Sequence, residues 1–155
     1  MKVFNTTGKC IPSMHYMVDI SRQVDAAAKL VRRGNFFCIN RGRQYGKTTT
    51  LALLKKKLEG EGYAVFSLSF ERLGDSAFKS DETLMFASLL LMNDSVEWDE
   101  VQNLSDSSKE VLRLSVSSED KTMDSLSFNR TVSKMSKTDK IVLLIDEVDA
   151  AGNHI

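Results

Sequence analysis

Asn40-Arg41-Gly42-Arg43-Gln44-Tyr45-Gly46-Lys47-Thr48-Thr49 is the stretch on which the reading of this chain turns. On its N-terminal side stands Phe36-Phe37-Cys38-Ile39, a short apolar run bounded by Gly34 and Arg41, which predicts a buried strand. On its C-terminal side Leu51, Leu54 and Leu58 fall on one helical face and predict a helix from near Lys47 to about Glu59. Gly60 and Gly62 supply its stop, and Lys55-Lys56-Lys57 lie mostly off the apolar face, as a solvated edge does. The polar loop with its two glycines is therefore expected where a strand hands over to a helix.

That position has a chemical meaning. The first turn of a helix carries N–H groups without intrahelical partners and the positive end of the helix dipole. A loop wrapped there presents amides to phosphate oxygens. Gly46 lets the backbone come close to an anion and adopt dihedrals that a side chain forbids. Lys47 is expected to reach the β- and γ-phosphates, Thr48 to place its hydroxyl on Mg²⁺ and Thr49 to sit nearest the α-phosphate. Arg43, Gln44 and Tyr45 complete the candidate loop. The pattern G-x-x-x-x-G-K-[ST] departs at one place: Arg41 stands where the first glycine belongs, and Gly42 comes one position late. The bland reading of the stretch is a basic turn with no ligand.

A second motif lies about 100 residues on. Ile141-Val142-Leu143-Leu144-Ile145 is an unbroken aliphatic run, predicting a strand covered on both faces, and it ends in Asp146-Glu147. In open α/β sheets ligands collect at the carboxyl ends of the strands. Asp146 there is suited to the Mg²⁺ hydration shell, and Glu147 to orienting and activating a water. Asp149 reads as solvated or structural.

Between the motifs the chain alternates. Ile20, Val24, Ala27 and Val31 predict a helix from Ser21 to about Arg33, capped by Ser21 or Asp19 and stopped by Gly34. Tyr63 to Phe70 predicts a strand, and 81–92 a helix capped by Asp81. Residues 93–120 hold eight Asp/Glu, two Lys/Arg and seven Ser, the pattern of an acidic mobile surface segment in which Val111, Leu112 and Leu114 could anchor a helical turn. A helix is expected over about 122–135. Strand–helix–strand–helix–strand order argues for a layered α/β domain over residues 1–155.

Composition sets the frame. With 42% hydrophobic and 27% charged residues the chain supports a core, which excludes disorder throughout. Two cysteines exclude a disulfide framework, and Cys10, His15 and Cys38 lack the paired spacing of a zinc site. No apolar run approaches the ~20 residues of a membrane span, so the expectation is a soluble cytoplasmic protein with no membrane partner. Net charge is zero, but residues 1–60 carry 12 Lys/Arg against 3 Asp/Glu, and residues 61–155 carry 9 against 18. A basic front half suits an anionic ligand, either phosphate or nucleic acid.

The chain resembles bacterial AAA-like ATPases of the P-loop class. The likeness rests on Val3-Phe4-Asn5-Thr6-Thr7, on Cys10-Ile11-Pro12 with His15 to Ile20, on Ile39-Asn40-Arg41 with Arg43 to Thr50, and on Leu144 to Asp149. In such proteins an arginine in place of the first glycine is usual. The resemblance implies a three-layer α/β/α fold with a mainly parallel sheet, ATP and Mg²⁺ as ligands, and an adenine pocket lined by 16–20. It also implies that this is the N-terminal portion of the domain. The family has a further strand with a polar sensor between the loop strand and the acid-tipped strand, then a helical lid and an arginine finger, and the sequence has none of them after Asp149. The expectation is a fragment, completed by a missing C-terminal half or a homo-oligomer, and at most slow hydrolysis by the chain alone. Two other readings stand beside it: an inactive nucleotide-binding or protein-interaction remnant, and a nucleic-acid-binding domain that uses the basic half.

Overall fold

The computed structural model describes residues 19–39, 46–117 and 121–148. The chain divides into two compact units, Met1–Glu61 and Gly62–Ile155. Among the described residues it is an α/β fold with five α-helices and a two-stranded parallel sheet.

The first unit holds α1 (Ser21–Arg32) and α2 (Lys47–Gly60), which pack on each other. Val24, Ala27 and Ala28 of α1 are buried, and so are Leu54 and Leu58 of α2. These follow the predicted periodicities. Asp19 accepts the Ser21 amide at 2.9 Å and so occupies one of the first-turn donors. At the other end Gly34 adopts φ +70°, its amide bonds the Val31 carbonyl, and the Asn35 amide bonds that of Leu30. This is the Schellman arrangement expected of a glycine stop. Gly60 lies inside α2, and Gly62, at φ +84°, makes the left-handed turn after it. Arg32 clasps Glu61 through two hydrogen bonds of 2.7 and 2.8 Å, and Lys57 pairs with Asp25 at 3.0 Å. The Arg32 guanidinium holds the Glu61 carboxyl below its ordinary value.

One expectation fails here. Residues 35–39 have no regular structure, and Phe36 is fully exposed at 104%. An apolar run becomes a strand only when a neighbouring backbone takes up its amides and carbonyls. The described residues offer Phe36–Ile39 no such neighbour.

In the second unit β1 (Ala64–Ser69) pairs in parallel with β2 (Ile141–Asp146), in a register that sets Ala64 opposite Ile141 and Ser69 opposite Asp146. Parallel strands need a long crossover. Here it carries two short 3₁₀ turns, Phe70–Arg72 and Asp75–Phe78, and three helices: α3 (Asp81–Glu97), α4 (Asp106–Ser115) and α5 (Ser125–Ser136). Ala64, Phe66 and Leu68 from β1 form a core with Leu89, Leu91 and Met92 of α3, Leu112 of α4 and Met135 of α5, and Ile141 and Leu143 of β2 pack against it. β2 is only partly covered: Leu144 is buried but Ile145 is 41% exposed, so the expected cover on both faces is incomplete.

Of the segment 93–120, residues 118–120 lie outside the described residues; the helical turn expected at Val111, Leu112 and Leu114 is part of α4, but the expectation of a surface segment is corrected. Residues 93–117 continue α3 to Glu97 and form α4, and Val101, Leu104 and Leu112 enter the core. Serine-rich composition misled because the serines cap helices or bond back within them. Ser105 caps α4, and Ser95 and Ser115 donate to the carbonyls four residues earlier. Ser80 rather than Asp81 caps α3, through a reciprocal box with Thr83.

The segment 103–105 ties the starts of both strands. Asn103 Nδ2 donates to the Tyr63 carbonyl at 3.0 Å, just before β1. The Ser105 amide and hydroxyl donate to Asp139 Oδ2 at 3.1 and 2.7 Å, just before β2. The Ala64 amide closes the figure on the Lys140 carbonyl at 2.9 Å. Partial burial alone would raise the Asp139 carboxyl, but the nearby Ser108 hydroxyl and the two bonds from Ser105 outweigh it and hold the carboxyl below its ordinary value. Because the folded-state value is depressed, this contribution is present above the ordinary carboxylate range and is lost as pH falls through the depressed value. Asp139→Ala is expected to cost about 1 kcal/mol near neutral pH, discounted for solvent screening. In urea melts, the gap between wild type and variant should close as pH drops below the ordinary carboxylate value. A gap that stays constant into strong acid would contradict this role.

Candidate functional site

The residues singled out in the sequence fall in three places. Arg43, Gln44 and Tyr45 lie outside the described residues, as do Arg41, Gly42, Asp149, and Tyr16 to Val18 of the segment that the resemblance assigns to adenine. Gly46, Lys47, Thr48 and Thr49 stand together at the start of α2 in the first unit. Asp146 and Glu147 stand together at the end of β2 in the second.

α2 starts at Lys47, where the apolar periodicity predicts a helix. Gly46 is the residue before the first helical position and sits in the left-handed region, at φ +75° and ψ +24°. Among the described residues no heavy atom beyond its chain neighbours lies within 4 Å of where its Cβ would be, so what asks for glycine there is the left-handed backbone. Having no side chain, Gly46 gives the first turn no cap of the Ser or Asp kind. The first turn holds no acid and begins with a lysine. A cation at the N-terminus of a helix has the wrong sign for the dipole. Among the described residues no carboxylate forms an ion pair with Lys47. Thr48 is exposed, Thr49 is 6% exposed and Thr50 is 2% exposed. Thr50 was not among the expected site residues. Its hydroxyl donates to the Gly46 carbonyl at 2.9 Å, beside the backbone bond from its own amide at 2.8 Å. The signal was present as a threonine four residues after the glycine.

The acidic pair has its own geometry. β2 carries Asp146 as its last residue, opposite Ser69. Asp146 Oδ1 accepts the Glu147 amide at 3.0 Å, and Glu147 turns into the left-handed region at φ +55°. A non-glycine residue there costs about 1–2 kcal/mol. Such strain persists where the surrounding structure or a function holds it.

Among the described residues no three His, Cys, Asp or Glu side chains gather to hold an ion. Within the first unit an open groove of about 560 Å³ runs between α1 and α2, lined by Val24, Asp25, Leu53, Lys56 and Lys57. It reaches Gly60 and Glu61, at the opposite end of α2 from Lys47, and holds none of the expected site residues. Lys55 pairs with Glu59 at 3.8 Å.

The strain at Glu147 makes a prediction. Glu147→Gly should relieve the left-handed backbone but pay back part of the gain in unfolded-state entropy. The expected outcome is a net stabilisation of about 0.5–1 kcal/mol in thermal or urea melts. A destabilised variant would show that the Glu147 side chain holds the fold rather than being strained by it.

Comparison of the chain with protein-family models, with curated proteins and with solved structures returns no match.

Proposed function

We propose that the chain is the ATP-binding module of a P-loop ATPase of the AAA-like kind, with the three-layer α/β/α architecture of that class in its full context. The observation that carries this reading is the start of α2. A left-handed glycine without a cap is followed at once by a lysine on the positive end of a helix. Alone, that arrangement is electrostatically unfavourable. A polyphosphate anion offsets it, because it pairs with the ammonium group and accepts from the first-turn amides together.

In this reading Arg43 to Gly46 and the amides of Lys47, Thr48 and Thr49 hold the phosphates, and the Lys47 ammonium draws charge from the β- and γ-phosphates as the terminal bond breaks. The Thr48 hydroxyl and the Asp146 carboxylate are each oxygen donors of the kind that would suit a hard cation such as Mg²⁺. Such an ion would supply charge neutralisation for the phosphates. Glu147 orients a water and takes its proton as the water attacks. The Asp146 carboxylate accepts the Glu147 amide, which keeps the two acids together at the strand end. No helix of the described residues is long and apolar enough to cross a membrane.

Two measurements test the reading. Mg-ATP titrated into wild type and Lys47→Ala should show at least a tenfold loss of affinity in the variant; equal affinities would remove the phosphate assignment. Phosphate release, measured on protein that binds ATP, should fall by ~10²-fold or more in Glu147→Gln. Equal rates would mark the module as a nucleotide-binding remnant without catalysis. Affinity for DNA that falls steeply with salt and ignores Lys47 would instead favour a nucleic-acid role for the basic half.

A further inference from the structure

We infer that Thr50 is the positioning residue of the loop: its hydroxyl clamps the Gly46 carbonyl and thereby aims the Lys47 amide outward, toward the anion. This rests on the phosphate reading above and adds a residue which that reading does not contain.

The argument starts from Gly46. A glycine at φ +75° has no side chain to restrain its backbone, and among the described residues nothing beyond its chain neighbours lies within 4 Å of its Cβ position. The peptide between Gly46 and Lys47 is planar and trans, so its carbonyl and its N–H point in opposite directions. Whatever holds the carbonyl sets the direction of the N–H. The carbonyl receives two bonds from one residue, the Thr50 amide at 2.8 Å and the Thr50 hydroxyl at 2.9 Å. The first is the ordinary opening bond of a helix. The second is additional, and it comes from a side chain only 2% exposed. A β-branched threonine in a helix has few rotamers, and one of them delivers its hydroxyl to the carbonyl four residues back. Such back-bonds are common inside helices. Here the bond lands on the left-handed residue before the first turn, where nothing else described restrains the plane. Two donors on one oxygen leave the plane little freedom to rock, and the Lys47 N–H is held pointing away from α2. An amide that is already aimed costs less to order when an anion arrives.

The test uses the full chain and three substitutions. Thr50→Val keeps the branch and the backbone bond but removes the hydroxyl. Thr50→Ala removes it without the branch, should valine fail to fold. Thr50→Ser keeps it. The first readout needs no nucleotide: the NMR order parameter of the Lys47 amide, which reports the 46–47 plane itself. Wild type and serine should read as rigid backbone, roughly 0.85, and valine or alanine should fall below about 0.6. The second readout is Mg-ATP affinity, expected to weaken about tenfold in the variants without the hydroxyl and to stay within about twofold in serine. Thermal melts should place the variants close to wild type, which separates a change in the turn from a change in the fold. An unchanged order parameter in Thr50→Val or Thr50→Ala overturns the clamp, whatever binds. A loosened amide with unchanged affinity overturns its part in binding. If Lys47→Ala binds Mg-ATP as wild type does, it is the phosphate reading that fails, and the order parameter still decides whether Thr50 holds the plane.

Discussion

Parallel strands cannot be joined by a tight turn, and much of the second unit follows from that constraint. β1 and β2 run the same way, so the chain must travel back along the pair before it can add the second strand. The return path is long enough for three helices, and those helices supply the core that covers the pair. A two-stranded sheet has little stability of its own. The apolar residues of α3, α4 and α5 against Ala64, Phe66 and Leu68 therefore do most of the holding, and the short segment 103–105 pins the start of each strand. The register that results puts Asp146 at the end of the pair, with Glu147 turned out of the strand direction.

The first unit is governed by a different force. Its two helices bury small and branched apolar residues against each other, and ion pairs cross from one to the other at Arg32–Glu61 and Lys57–Asp25. These pairs are at least partly exposed and fix orientation more than they add stability. The opposite end of α2 is left with a lysine on the wrong pole of the helix dipole and a glycine that cannot cap. A protein selected for stability alone would place an acid or a serine there. The departure from that rule is why the phosphate reading is preferred over a plain basic turn, and at that end the Thr50 hydroxyl bonds the Gly46 carbonyl.

Elements marked by strong periodicity were legible in the residues. Val24 and Ala27 announced α1, Leu54 and Leu58 announced α2, and the aliphatic run from Ile141 announced β2. Their types followed, with boundaries within a few residues. The segment 93–117 was not legible, because serine serves helices through caps and back-bonds that composition does not reveal. Phe36–Ile39 misled in the other direction. Its residues favour a strand, but propensity expresses itself only against a partner backbone.

The residues by themselves determined local matters: where helices begin and end, that glycine stands at position 46 with lysine after it, and that two acids follow an aliphatic run. Such facts depend on side-chain shape and on bonds between near neighbours. Tertiary structure alone decided which apolar runs became strands, that β1 and β2 pair in parallel with Ser69 opposite Asp146, and that an acidic, serine-rich stretch lends Val101, Leu104 and Leu112 to the core. Those outcomes depend on groups far apart in the chain, whose burial and hydrogen bonding are settled only when they meet.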